Sequence, residues 1–189
     1  MTDQEALALF RSSGALLDGH FRLSSGLHSS GYLQCARVLQ HPRRAEAIGA
    51  ALADRVRELA VSVVLSPALG GIVIGQEVGR ALDVRAIFAE RHEGALTLRR
   101  GFALDRSDRV LVVEDVITTG GSTRETLDVA SRMGAIVVAA CAIVDRSGGF
   151  LDLGVPFSAL CAFQLPTYDP QLCPLCAQGI PSIKPGSRA

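Results

Sequence analysis

Lysine is nearly missing from this sequence. Of its 19 basic residues only Lys184 is lysine, so any cation that does chemistry here is expected to be arginine or histidine. The same shortage excludes a Walker A loop, because no GxxxxGK[ST] exists and the single lysine stands near the C-terminus. Net charge is missing too: 19 basic and 19 acidic residues cancel, which removes the general electrostatic drive toward nucleic acid or an anionic membrane. No stretch is long enough to span a bilayer without charges or glycines. The opening MTDQEALALFRSSGALL carries acids early and no basic head before an apolar run, so no secretory signal is expected. Five cysteines, at 35, 141, 161, 173 and 176, form an odd, scattered set that does not read as a disulfide framework. These absences predict a cytoplasmic protein that binds small molecules, with neither nucleic acid nor membrane as partner.

Cys173 and Cys176 make one CxxC. A structural zinc site usually needs four ligands, and no second pair or histidine pair lies nearby in the sequence. The expectation is therefore a turn with two buried thiols, although four thiols could meet across a dimer.

With 189 residues, nearly half of them hydrophobic, the chain suffices for one well-buried domain. Thr2 and Glu5 stand in capping-box spacing before Ala6, Leu7, Leu9 and Phe10, which predicts a short N-terminal helix. FRLSSGLHSSGYLQC reads as strand-like halves around serine and glycine turns. A second helix is predicted from about Pro42, with Ala45, Ile48, Leu52, Val56 and Leu59 on its core face. Then VSVVLS, VRAIFAE, RVLVVEDV and AIVVAACAIVD read as strands, with helices in GIVIGQEVGRAL and STRETLDVASRMG. Short β-branched runs separated by helices imply an α/β fold, its sheet mainly parallel and flanked by helices. The polar, arginine-rich RHEGALTLRRGFALDRSD looks like an excursion from that sheet, a mobile hairpin. From Gly148 onward the chain is proline-rich and shows no helical period; repeats and low-complexity segments are missing.

Within VLVVEDVITTGGST, two adjacent carboxylates end a strand and a threonine-glycine loop follows. Ligands of an open parallel sheet gather beyond the carboxyl ends of its strands. There Glu114 and Asp115 can accept hydrogen bonds from vicinal hydroxyls such as a ribose presents, or hold magnesium through water. The loop opening the next helix offers bare N–H groups to an anion, with Thr119, Ser122 and Thr123 adding hydroxyls. An ordinary strand-turn-helix junction in which Asp115 merely caps the helix would use the same residues. The glycines of ALGGIVIG, Ala68 to Gly75, fit a second phosphate-facing loop or close packing equally well.

The acidic pair and its Thr/Gly loop resemble the phosphoribosyl diphosphate (PRPP) motif of type I phosphoribosyltransferases. FRLSSGLHSSGYLQC, ERHEGALTLRRGF and AIVDRSGG, in this order, narrow the resemblance to the orotate phosphoribosyltransferase family, and CPLCAQGIPSIKPGSR is similar to the tail of one bacterial and archaeal branch. The resemblance implies the type I fold as a single domain, its core spanning about 42–147. A small hood would come from the terminal segments, about 1–41 and 148–189. It also implies transfer from PRPP to orotate with Mg2+, in a homodimer whose active site is composite. By position, Glu114 and Asp115 would hold the ribose hydroxyls, and Thr118, Thr119, Gly120, Gly121 and Ser122, entered through Val116 and Ile117, would cradle the 5'-phosphate. Thr118 and Tyr32 would touch orotate, and Arg146 would pair with its carboxylate, two-point bonding being natural to a guanidinium. Arg91 would serve catalysis from the mobile loop.

The chain departs from the family at three places. Where many members carry a loop lysine and histidine, this one has Ala95 and Thr97, so Arg99 and Arg100, with His92, are the candidates for the loop cation. Ser24 stands where lysine is common, and an aromatic pair is reduced to Tyr32 and Leu33. Two rival readings use the same motif: transfer to another base, and a PRPP-sensing regulator without turnover.

Overall fold

The computed structural model describes residues 1–23 and 25–184; the departure at Ser24 lies outside the described residues. Helix α1, Asp3–Ser12, begins as its spacing predicts. The Thr2 hydroxyl accepts from the Glu5 N–H at 3.3 Å, and the Glu5 carboxylate accepts from the Thr2 N–H at 2.7 Å. A three-stranded sheet uses β1, Leu16–Arg22, β2, His28–Leu33, and a two-residue β9, Thr167–Tyr168, in the order β1-β2-β9. A one-turn helix α2, Ala36–Leu39, which the sequence reading missed, precedes α3, Pro42–Val56.

The main sheet comprises β3, Val63–Pro67; β4, Arg85–His92; β5, Ala95–Leu98; β6, Arg109–Ile117; β7, Ile136–Asp145; and β8, Phe157–Ala162. Its order is β5-β4-β3-β6-β7-β8, parallel throughout except for the β4–β5 hairpin. Helix α4, Gly70–Leu82, connects β3 to β4, and α5, Gly121–Arg132, connects β6 to β7. Because the chain leaves β3 toward β4 and later returns to its other side as β6, the strand order reverses between β3 and β6. A crevice opens at such a reversal, on the carboxyl side of the strands.

Strand alternation divides the core into two layers. Leu111 and Val113 of β6 join Ile48, Leu52, Ile74 and Val78 of α3 and α4, while Val110 and Val112 join Leu127 and Ala130 of α5 on the opposite face. Close helix packing explains two glycines: a Cβ on Gly49 would stand 2.5 Å from the Glu77 Cβ, and one on Gly75 would collide with the Ser66 side chain.

Two boundaries differ from the sequence reading. The tail contributes β8 to the main sheet, so the core continues past residue 147 to Ala162, and α1 packs on β8 instead of joining a hood. A short strand without alternation, only its Leu160 and Cys161 buried, leaves little period to read inside a proline-rich tail. The first part of RHEGALTLRRGFALDRSD forms the expected hairpin as an extension of the sheet: β4 runs on to His92, turns through Glu93 and Gly94 at positive φ, and returns as β5. The longer stretch from Arg99 to Asp108 leaves the sheet.

Candidate active site

The parity of β6 decides where each acid points. Glu114 continues the series of Val110 and Val112 toward α5 and lines a cavity of about 300 Å³ with Val116, Ile117 and the loop Thr118 to Thr123. Asp115 continues the series of Leu111 and Val113 toward α4 and lines a second cavity of about 430 Å³ with Tyr32, Gln34, Leu69, Gly70 and Val73. The acidic pair is thus the wall between two cavities, one built of loop backbone and hydroxyls, the other under the β1–β2 sheet.

Burial is the main reason why both carboxyls are held above their usual range, Glu114 strongly so. Asp115's negative charge pushes Glu114 further in the same direction. Asp115 accepts from the Val116 N–H at 2.8 Å, and Glu114 accepts from the Asp115 N–H at 3.2 Å. Asp115 does not cap α5, whose N-cap is Gly120 at φ 78° with no side-chain cap at all. The first-turn N–H groups of α5 therefore face the cavity uncapped, and the helix dipole favours an anion there.

Arg124, which the sequence reading did not single out, fixes this loop. Its guanidinium donates to the Thr119 carbonyl at 2.6 Å and to the Asp152 carbonyl at 2.8 Å. One turn into a helix, it had no spacing signal to mark it. Of the two readings of the glycine run after β3, the geometry shows close packing. A Cβ on Gly70 would stand 2.8 Å from both carboxylate oxygens of Asp115, so Gly70 admits the acid to the crevice, whereas Gly71 packs against the Val113 carbonyl and Ser66.

Arg146 follows β7, its N–H bonded to the Ile117 carbonyl at 2.8 Å. Its Nε is buried and has no hydrogen-bond partner, and burial lowers its affinity for the proton, opposed by the nearby Tyr32. Tyr32 is half-buried, and its phenol is pushed up by burial and then by the charge of Asp115. Leu33, its neighbour, turns into the core.

The loop arginines divide between the Thr/Gly-loop cavity and the sheet edge. Arg91 reaches α5, 3.0 Å from Glu125, a residue that lines the Thr/Gly-loop cavity. Arg99 and Arg100 pair with Glu90 at 3.9 and 2.9 Å, and Arg100 also lies over the Phe88 ring. Ala95 and Thr97 are β5 residues opposite His92 and Glu90, at the sheet edge.

The solved structures that this fold resembles include phosphoribosyltransferases. Orotate phosphoribosyltransferase from Aeropyrum pernix superposes with a TM-score of 0.68 at 26% identity, covering 83% of this chain and 93% of that one. Adenine phosphoribosyltransferase from Thermoanaerobacter pseudethanolicus, at 17% identity and a TM-score of 0.60 over 70% of this chain and 88% of its own, shares the fold alone. No protein-family model matches the chain. Sequence relatives are narrower than the fold: an orotate phosphoribosyltransferase from Pelotomaculum thermopropionicum is 53% identical over 188 residues, spanning 100% of this chain and 99% of the relative. The chain belongs to the orotate phosphoribosyltransferase family.

Proposed function

We propose that the chain transfers the ribose 5-phosphate group of PRPP to N1 of orotate, giving orotidine 5'-monophosphate and diphosphate, with Mg2+ as cofactor. The observation that carries this reading is Arg146. A guanidinium partly desolvated and with an unpartnered Nε is costly to keep, and a planar carboxylate on the acceptor would satisfy it at two points. Tyr32, beside it, would cover the base.

On the other side of the acidic wall, Thr118 to Ser122 would take the 5'-phosphate through the uncapped N–H groups of α5, and Glu114 and Asp115 would accept from the ribose hydroxyls. The pair also fits the cofactor: two hard oxygen donors disfavoured as free anions gain from a cation held through water. Bound with PRPP, Mg2+ would offset the negative charge that builds on diphosphate. As the bond from the anomeric carbon to diphosphate breaks, N1 of orotate forms the new bond, and its proton passes to water or to the departing diphosphate. Arg91 would stabilise the departing group, with Arg99 and Arg100 as further candidates.

The working unit in this proposal is a homodimer with a composite site, the β4–β5 hairpin of one chain serving its neighbour. Residence in the cytoplasm agrees with five free thiols, and among the described residues no helix is long and apolar enough to cross a membrane. The test follows orotate absorbance with PRPP and Mg2+ together and with each withheld. Consumption only in the complete mixture supports the proposal. PRPP binding without turnover would replace it with a regulator, and turnover of another base would reassign the acceptor.

A further inference from the structure

Outside the lining of both cavities, the structure joins residues that the sequence keeps about 150 positions apart. His20 of β1 and His28 of β2 face Cys173 and Cys176, the ends of the CPLC turn that opens the four-residue helix α6, Pro174–Ala177. The four donor atoms lie within 4.8 Å of one another. This corrects the expectation of a CxxC with no partners and two buried thiols: the histidines arrive by folding, and Cys176 is exposed while Cys173 is buried. We propose that His20, His28, Cys173 and Cys176 form a structural zinc site that clamps the C-terminal segment onto the N-terminal hairpin.

Geometry, protonation and charge each support a cation here. For zinc at about 2.3 Å from sulfur and about 2.0 Å from nitrogen, the edges of a tetrahedron are about 3.3 to 3.8 Å. Cys173 Sγ lies 3.5 Å from His20 Nε2, Cys176 Sγ lies 3.8 Å from the same atom, and Cys176 Sγ lies 3.3 Å from His28 Nδ1. The fourth edge given by the geometry, His20 Nε2 to His28 Nδ1, is 2.8 Å and would open by about half an ångström on ligation. His20 Nδ1 is 2.7 Å from the Ile180 carbonyl, which can only accept, so that nitrogen carries the proton and Nε2 turns its lone pair into the cluster. A backbone carbonyl holding the far nitrogen is the usual partner of a metal-bound imidazole. Two thiolates and two neutral imidazoles around Zn2+ sum to zero, so the largely buried cluster would retain no uncompensated charge.

The fold also has a use for such a clamp. The segment after Ala162 holds to the hairpin through two β9–β2 register pairs on one side and the Phe21–Ile183 bridge on the other. A four-residue helix and a two-residue strand are too short to stand alone. The clamp lies four residues along β2 from Tyr32, and so it would steady the strand that brings that ring to the cavity.

The experiment measures metal in the full-length protein. After expression with zinc and gel filtration, mass spectrometry should find one zinc per chain, and the cobalt-substituted protein should show the thiolate charge-transfer and tetrahedral visible bands. Cys176→Ser, an exposed position, should lower zinc affinity at least tenfold while circular dichroism stays that of the parent, and His28→Asn should do the same. His41→Asn, outside the cluster, should leave zinc at one per chain. The proposal is overturned if folded parent protein takes up less than a tenth of an equivalent of zinc after equilibration and gives no cobalt–thiolate band. It is equally overturned if Cys176→Ser and His28→Asn both retain the full equivalent, or if the isolated protein carries a Cys173–Cys176 disulfide.

Discussion

Arg91 and Glu125 meet at 3.0 Å, joining the β4–β5 hairpin to the second turn of α5, the helix whose N-terminus lines the Thr/Gly-loop cavity. Both side chains are about 40% exposed, so the pair contributes little to stability. Its consequence is positional: it brings a permanent cation to the rim of the site.

Arg91→Ala is therefore expected to lower kcat by a factor of about 10² to 10³, the usual cost of removing a donor aimed at developing charge, with the melting temperature unchanged. Arg99→Ala and Arg100→Ala should cost less, because both cations stand at Glu90, which does not line the cavity, whereas Arg91 stands at Glu125, which does. Steady-state kinetics on the three variants checks the order. Parental kcat in all three would leave the leaving group to Mg2+ and backbone amides.

Glu114 and Asp115 should oppose folding in the ligand-free protein. Their folded-state pKa values are raised, so the folded chain binds more protons than the unfolded one above the ordinary carboxylate range, and stability falls as pH rises from about 4 through the raised values. Asp115→Asn should accordingly flatten the fall in melting temperature between pH 4 and 8 and melt no lower than the parent at pH 7. Its kcat/KM should drop by about 10²-fold or more if the acid binds the ribose. A lower melting temperature with unchanged specific activity would mark Asp115 as a structural group.

Gly70→Ala tests the approach of Asp115. With the added methyl 2.8 Å from both oxygens, the carboxylate must move, and PRPP affinity measured by calorimetry should weaken while orotate affinity changes less.

Arg146→Gln is expected to raise the KM for orotate by about 10²-fold, the loss of a charge-assisted two-point contact, and to leave PRPP binding near parental. Because the guanidinium's Nε has no partner in the free protein, the variant should be no less stable. A large loss of melting temperature would show that the cation supports the fold.

Mixing Arg91→Ala chains with Asp115→Asn chains addresses the composite site. Recovery of activity after verified subunit exchange is expected for a site shared across a homodimer. The Arg91–Glu125 pair lies within one chain, so failure to recover would mean that the cation serves its own subunit.

Most local chemistry was legible, the one-turn α2 excepted. The Thr2–Glu5 capping box, the helix from Pro42, the alternation of parallel strands and helices, and the acidic strand end before a threonine-glycine loop depend on neighbours a few residues apart. Even the opposed directions of Glu114 and Asp115 follow from a period of two. The structure decided matters that depend on which distant segments become neighbours. A strand in the proline-rich tail became part of the main sheet because a parallel partner, β7, was there to receive it. Arg146 came to stand beside Tyr32, more than a hundred residues away, and was left with an unpartnered nitrogen. The CPLC turn looked incomplete because its two histidines belong to the opposite end of the chain; hydrogen bonds of a three-stranded sheet, not spacing, bring the four donors together.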